Sequence, residues 1–525
     1  MSNRKPKSII LKPAGKGKPC DVVINGDLIV KKDVVAQCDV TVKKCLKVKN
    51  IVYNSETIDE SGETLSNDKT LSWINTNGNG VLNDATKEGF YKKVVKVNSA
   101  GGVTGWQSIQ LNSDGITGVF GNTNINTIAF DSKENIYIGG KFTEVAGNTL
   151  LNGLAKWDVN AQSWTSVNGV NDFVQYGSRA IQEIAIDSKD NVYIGGQITS
   201  VSGNTLLNAL AKWDGSSWTS VNGIGDGITA GSDPYVNTIG FDKNNENTIY
   251  IGGAFTEVAG NSNLKRLAKW DDDNKSWTSV NGVNDIVGGE VSSLALDSIN
   301  NLYIGGGFIQ VNGNSNLQFL AKWDDANTNW TSVNGINDGV TGGGVNTIAI
   351  DSFSNVYIGG DFANVDGKSN LQFLAKWDDD NKSWTSVNSS DDGVNSAVYT
   401  IDFDSNNNVY IGGFFNQVDG KSNLQFLAKW DDDNKSWTSV NSSDDNISDF
   451  LNEVTLDSSD NVYIGGFFTV VDIPPNFNLQ FLAKYQQNLD TYELFFNSGT
   501  SVELTNKGDN ACFIYNEFLN EWIKL

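Results

Sequence analysis

Apolar residues come along this chain in short bursts. From Asn346 the sequence reads Asn-Thr-Ile-Ala-Ile-Asp, Asn-Val-Tyr-Ile-Gly-Gly, Phe-Leu-Ala-Lys-Trp-Asp and Ser-Trp-Thr-Ser-Val-Asn, four segments rich in β-branched and aromatic residues and bounded by Asp, Asn, Ser or Gly. Runs this short, each set broken by a Gly pair, do not sustain a helix. The series recurs, and its Tyr-Ile-Gly-Gly core appears seven times, at Tyr137, Tyr193, Tyr250, Tyr303, Tyr357, Tyr410 and Tyr463, 53 to 57 residues apart. A period of that length is one supersecondary unit. Four strands of about five or six residues with their turns fill it, which predicts an all-β chain built of four-stranded β-propeller blades.

Two features are fixed in the repeat. The Gly pairs are Gly139 and Gly140, Gly195 and Gly196, Gly252 and Gly253, Gly305 and Gly306, Gly359 and Gly360, Gly412 and Gly413, and Gly465 and Gly466. Without Cβ they let a strand end bend or another backbone come close, as a crowded ring centre demands. The aromatic pairs are Trp157 and Trp164, Trp270 and Trp277, Trp323 and Trp330, Trp377 and Trp384, and Trp430 and Trp437, seven apart, with Trp213 and Trp218 five apart. A buried indole covers roughly 150–250 Å², so these rings are expected at the contact between neighbouring blades. Replacing one by alanine should cost about 3–5 kcal/mol.

At these residues the chain resembles the kelch and galactose-oxidase-like propellers, whose blades carry a Gly pair after the second strand and two spaced aromatics in the third and fourth. The resemblance spans residues 101–496 and implies a fold, not an activity, since this architecture hosts enzymes, scaffolds and adhesins alike. Closure has two candidates. The segment from Gly105 and Trp106 to Gly118 reads like that from Asn329 and Trp330 to Gly342, and so suits a last outer strand; Tyr485 and Tyr492 keep the same spacing at the other end. Seven blades is the expectation, with eight, the last a composite of both chain ends, as the alternative.

Composition removes much chemistry. Among 525 residues there is no histidine, which excludes Ser-His-Asp and Cys-His arrangements and also the copper site of the galactose oxidase branch. No Walker loop and no paired-cysteine zinc motif occurs. Carboxylates remain, yet they repeat with the blades. Asp131, Asp187, Asp242, Asp297, Asp351, Asp404 and Asp457 open the turn between first and second strands, and Asp-Asp-Asp-Asn runs begin at Asp271, Asp378 and Asp431 between third and fourth. Asp and Asn favour such turns by bonding their own backbone. A weak calcium site at Asp271 with Asp273, Asp378 with Asp380 or Asp431 with Asp433 is the competing reading, although a calcium loop's Gly and distal Glu are missing. No cofactor is expected. Residues 366–392 and 419–445 are identical over 27 positions, and interchangeable blades suit scaffolding or multivalent display better than a catalytic pocket; the chain is therefore read as no enzyme.

The net charge is −24, but residues 1–50 carry 12 Lys or Arg against 4 Asp, so the remainder is strongly acidic. Residues 1–18, with Arg4, Lys5, Lys7, Lys12, Lys16 and Lys18 among Pro and Gly, read as a flexible basic tail, a solvated terminus or a grip on an acidic partner. Residues 19–60 form a run of tiny strands too narrow for a core of its own. They look like the β-rich shafts of viral and phage fibres, which would make the chain a homo-oligomer and point to a trimer; a small edge sheet is the alternative. Residues 61–100 and 497–525 read as halves of one small β module, similar to modules of tailed phages and large DNA viruses, with the propeller of 101–496 inserted. There is no apolar signal core and no stretch able to span a bilayer, and Cys20, Cys38, Cys45 and Cys512 leave the array without cysteine, as suits a reducing compartment.

The leading expectation is thus a non-enzymatic protein of a virion surface, assembled in the host cytoplasm, whose propeller binds protein or glycan multivalently through the loops of residues 365–373 and 418–426 and those joining blades, opposite the acidic turns. A soluble intracellular kelch-like adaptor in the cytoplasm is the alternative, and a carboxylate-based polysaccharide-degrading enzyme the third.

Overall fold

The computed structural model of the chain describes residues 106–110, 114–118, 122–172, 174–229, 233–271, 273–282, 285, 287–432, 434–441, 445–471 and 479–485, with Gln107 by backbone alone, and the backbone of short strands on either side. The chain divides into two compact units, Gly105–Tyr485 and the pair Met1–Thr104 with Gln486–Leu525.

The first unit is a seven-bladed β-propeller. In each of blades 1 to 6 four consecutive strands pair antiparallel in sequence order, for example Val345–Ile350, Val356–Gly360, Leu374–Asp378 and Ser383–Thr385 in blade 5. Blade 7 takes Leu451–Leu456, Val462–Gly466 and Leu482–Tyr485, and its outer strand is Trp106–Gln107 from the other end of the unit, with Tyr485 opposite Trp106. Each blade's first strand touches that of the next, and the seventh returns to the first. Tyr492, the rival for the outer position, lies in Asp490–Phe496, which pairs with Tyr91–Val97 in a separate sheet. No composite eighth blade forms among the described residues.

Sequence pattern explains the burial. The second strands, Ile or Val or Leu-Tyr-Ile-Gly-Gly, are buried at every position because neighbouring blades cover both faces. Third strands of Leu-Ala-Lys-Trp-Asp alternate after their first residue, with Lys and Asp half-exposed. The two glycines solve different problems. A Cβ on Gly305 would stand 2.6 Å from Val345 Cγ1 of the next blade, and one on Gly306 2.1 Å from the Glu290 carbonyl oxygen beside its own first strand, where the register slips between Val291 and Ser293. So the first glycine admits the neighbouring blade and the second admits a bulge.

The tryptophans of each pair face each other across the third and fourth strands, Trp377 opposite Trp384 and Trp430 opposite Trp437, edge to face at 5.7 Å. Trp106 and Tyr485 do the same in blade 7 at 5.3 Å. Each hydrophobic cluster joins two blades: Tyr357 and Leu374 of blade 5 pack with Ile411, Trp430 and Trp437 of blade 6, and Tyr463 and Leu482 of blade 7 pack with Ile138, Trp157 and Trp164 of blade 1. The core is therefore a ring of seven interfaces.

The second unit contains a five-stranded antiparallel sheet joining Tyr91–Val97 to Asp490–Phe496, Val502–Asn506, Cys512–Asn516 and Glu521–Lys524. In the region read as a shaft, Leu28–Ala36 pairs in parallel with Leu46–Tyr53, and Val22–Ile24 with Val40–Val42, so these strands find partners within one chain. Apart from Ile9–Leu11, which pairs with Leu28–Ala36, the basic tail lies outside the described residues. Among the described residues no helix is long and apolar enough to cross a membrane.

Candidate functional site

The ring has two faces. The turns between first and second strands and those between third and fourth meet on one, where the Asn135 side-chain oxygen accepts from the Val159 amide and Asn355 likewise from Asp379. Loops between second and third strands meet the blade-joining loops on the other, bridged at Thr117 with Glu144, Thr229 with Glu257 and Thr341 with Asn364.

On the turn face the first-to-second Asp is a structural hub. Asp351 accepts from the amides of Phe353 and Asn355 at 2.9 Å through one oxygen and from the Asn355 side chain at 2.8 Å and the Tyr357 hydroxyl at 3.3 Å through the other. Asp131, Asp187, Asp297, Asp404 and Asp457 repeat this with the Asn four and the Tyr six residues on. Blade 3 has a longer turn, and Asp242 meets Tyr250 at 3.4 Å. A lysine from the third strand lies over each Tyr ring, 5.1 to 5.7 Å from its centre, and Lys429 also reaches Asp404 at 3.5 Å. Burial first, then the Asp charge, drives the phenols of Tyr303 and Tyr357 above their usual range.

The aspartates considered for calcium turn inward on their own loops. Asp271, Asp378 and Asp431 each accept from the amide and side chain of Asn274, Asn381 and Asn434, and the bonds to Asn274 and Asn381 hold Asp271 and Asp378 below the ordinary carboxylate range. Asp273 and Asp380 sit in the same turns, whereas Asp433 lies outside the described residues. Among the described residues no three acidic or cysteine groups converge as metal ligands would.

A second set of aspartates locks the ring, and sequence reasoning passed over it. Asp338 accepts from the amides of Val333 and Asn334 in its own loop and from the Trp384 indole of the next blade at 2.9 Å. The same indole bond joins Trp164 to Asp114, Trp218 to Asp172, Trp277 to Asp226, Trp330 to Asp285, Trp437 to Asp392 and Trp106 to Asp445. Burial pushes the carboxyls of Asp114 and Asp392 up to about 6 against the bonds they accept. The signal was available: an Asp stands eight residues after Trp106, Trp164, Trp218, Trp277, Trp330, Trp384 and Trp437.

The blades cease to match on the loop face, near the start of the first strands. The residue after the Gly pair is Lys141, Gln197, Ala254, Gly307, Asp361, Phe414 and Phe467 in turn. At blades 2 to 4 the Arg179 guanidinium lies 4.3 Å over the Tyr235 ring and 3.5 Å from Glu290, which also accepts from Tyr235 and Asn237. At blades 6 and 7, Phe450 stands 4.5 Å from Phe467, 5.6 Å from Phe414 and 6.1 Å from Tyr399, measured between ring centres. On the first strands below are Glu183, pushed by burial up to about 8, Asp402, pushed up to about 6, and Glu453, raised by burial and then by the charges of Glu183 and Asp402.

Residues 226–343 match the family model of the Rax2 C-terminal beta propeller domain. Over 277 residues the chain is 25% identical to the polarized growth protein RAX2 of Candida albicans, covering 48% of this chain and 20% of that protein; it spans about a fifth of the curated relative's length. Solved structures similar in fold include the extracellular domain of the putative hybrid two component system BT4673 from B. thetaiotaomicron, 12% identical with a TM-score of 0.43 over 79% of this chain and 46% of that one. The WD40 beta propeller domain of Doa1 is 13% identical with a TM-score of 0.41, over 73% and 98%. The match to a fungal polarized growth protein corrects the expectation of a virion-surface attachment protein, together with the fibre reading and the virion localisation. The error came from the flanks, where short β runs and a basic tail resemble many modular proteins. The repeats carried the informative likeness.

Proposed function

We propose that the propeller is a non-enzymatic protein-interaction scaffold in polarised growth. The observation that carries this is the similarity of about half the chain to the polarized growth protein RAX2, with residues 226–343, blades 3 and 4 and their flanking loops, matching the Rax2 propeller model. The geometry agrees with a scaffold. The carboxylates repeated in every blade are committed to amides, indoles and phenols of the ring itself, and on the loop face the residue after the Gly pair differs from blade to blade, as suits loops that carry binding on a rigid frame.

A chimera tests it. RAX2 carrying residues 105–485 in place of its C-terminal propeller is expressed in Candida albicans lacking its own copy, and growth sites are scored by microscopy. Restored polarity is expected. A chimera present at normal level that leaves growth unpolarised overturns the proposal.

A further inference from the structure

We propose that the loop-face mouth of the ring at blades 5 to 7 docks a peptide segment presenting a lysine or arginine beside an apolar side chain. This rests on the interaction-scaffold reading and gives its partner a chemistry.

Differences between blades locate the site. Residues 366–392 and 419–445 are identical, yet the inner strand pairs that follow them differ, with Ala397 and Tyr399 in blade 6 where blade 7 has Phe450 and Asn452. These positions build the aromatic cluster. Phe414 is 51% exposed, so its ring offers a face to a ligand, with Phe450 and Phe467 behind it. A stack this size takes an aliphatic or aromatic side chain, or the flat face of a guanidinium.

Charge selects a cation. Asp361 is exposed and stands directly after the Gly pair of blade 5, where Phe414 and Phe467 stand in the next two blades. Residues 341–367, 393–420, 445–471 and 479–483, which supply this sector, contain no Lys or Arg, and the lysines next along, Lys368 and Lys421, are held by Asp366 and Asp419 and by the carbonyls of Trp384 and Trp437. The fold already makes such a contact once: across the mouth, Arg179 lies between the Tyr235 ring and the Glu290 carboxylate. Blades 5 to 7 supply ring and carboxylate with the cation left to come from elsewhere.

The test uses the full chain and a fluorescein-labelled Leu-Arg-Leu-Arg-Leu-Arg peptide, followed by anisotropy. Saturable binding is expected, with Phe414→Ala and Asp361→Asn each weakening it about tenfold, the scale of one good cation or aromatic contact. Asp380→Asn, on the opposite face, leaves it unchanged. Equal loss in Asp380→Asn shows diffuse charge attraction and overturns the site, as does binding of the Leu-Glu counterpart, displacement by a β-glucan hexasaccharide, or no saturation. Both mouth substitutions alter exposed side chains, and unchanged circular dichroism separates lost binding from lost fold. The chimera and the peptide assay fail independently: polarity restored with no peptide binding rejects only the site, and binding without restored polarity rejects only the role in growth.

Discussion

Substituting Trp106→Phe tests how the ring closes. The Trp106 indole donates to Asp445 at 2.9 Å, and that carboxylate also accepts from the amides of Val440 at 2.9 Å and Asn441 at 3.1 Å. Phenylalanine keeps a ring against Tyr485, 5.3 Å away, but removes one donor from a buried carboxylate, which costs about 1.5–3 kcal/mol. Trp277→Phe breaks the equivalent bond to Asp226 and serves as the internal reference. The two differ in what else holds the strand. Trp106–Gln107 meets blade 7 through only two residue pairs, whereas Ser276–Thr278 continues directly from its own blade. Trp106→Phe should therefore match the reference at equilibrium but unfold faster. Urea denaturation followed by far-UV circular dichroism gives both quantities without relying on the chain's 15 tryptophans as reporters. A double-mutant cycle with Asp445→Asn should return a coupling of about 1 kcal/mol or more. If Trp106→Phe stays within about 0.5 kcal/mol of wild type while Trp277→Phe costs about 2 kcal/mol, the indole bond does not close the ring.

Acidification should first stabilise the propeller. Asp114 and Asp392 have folded values raised to about 6 from 3.8, so the folded state binds protons more tightly and stability grows as pH falls from 7 through 6 towards 4, by at most about 3 kcal/mol per group. Below that, protonation of turn aspartates with lowered values such as Asp158, Asp214 and Asp378 reverses the trend; calorimetry should find a higher melting temperature at pH 5 than at pH 7, and a monotonic fall would contradict the assignment. Gly306→Ala should cost about 3 kcal/mol or more, because its Cβ meets a carbonyl oxygen at 2.1 Å, while Gly313→Ala, at φ +76° in open space, should cost about 1 kcal/mol. Residues 105–485 expressed alone should unfold in one cooperative transition, and loss of that transition would show that the ring needs its flanks.

Repeat period, strand count per blade and the all-β class follow from sequence because each is local. Tyr-Ile-Gly-Gly is buried throughout and Leu-Ala-Lys-Trp-Asp alternates, and the pattern of apolar residues says so before any fold is known. The turn aspartates are legible for the same reason, since the partners of Asp351 lie within six residues of it. Even the seven indole locks leave a mark, the Asp eight residues beyond each outer Trp, although the bond itself runs to the preceding loop's Asp, some 45 residues or more away in Trp384 with Asp338. Tertiary structure decided the rest. Whether Trp106 or Tyr492 completes the last blade depends on which strand reaches the Leu482–Tyr485 edge, a contact between distant segments whose local patterns are equally suitable. The mouth is likewise invisible in one dimension: Asp361, Tyr399, Phe414 and Phe450 are scattered over three blades and become neighbours only because the ring brings the starts of all first strands around one axis.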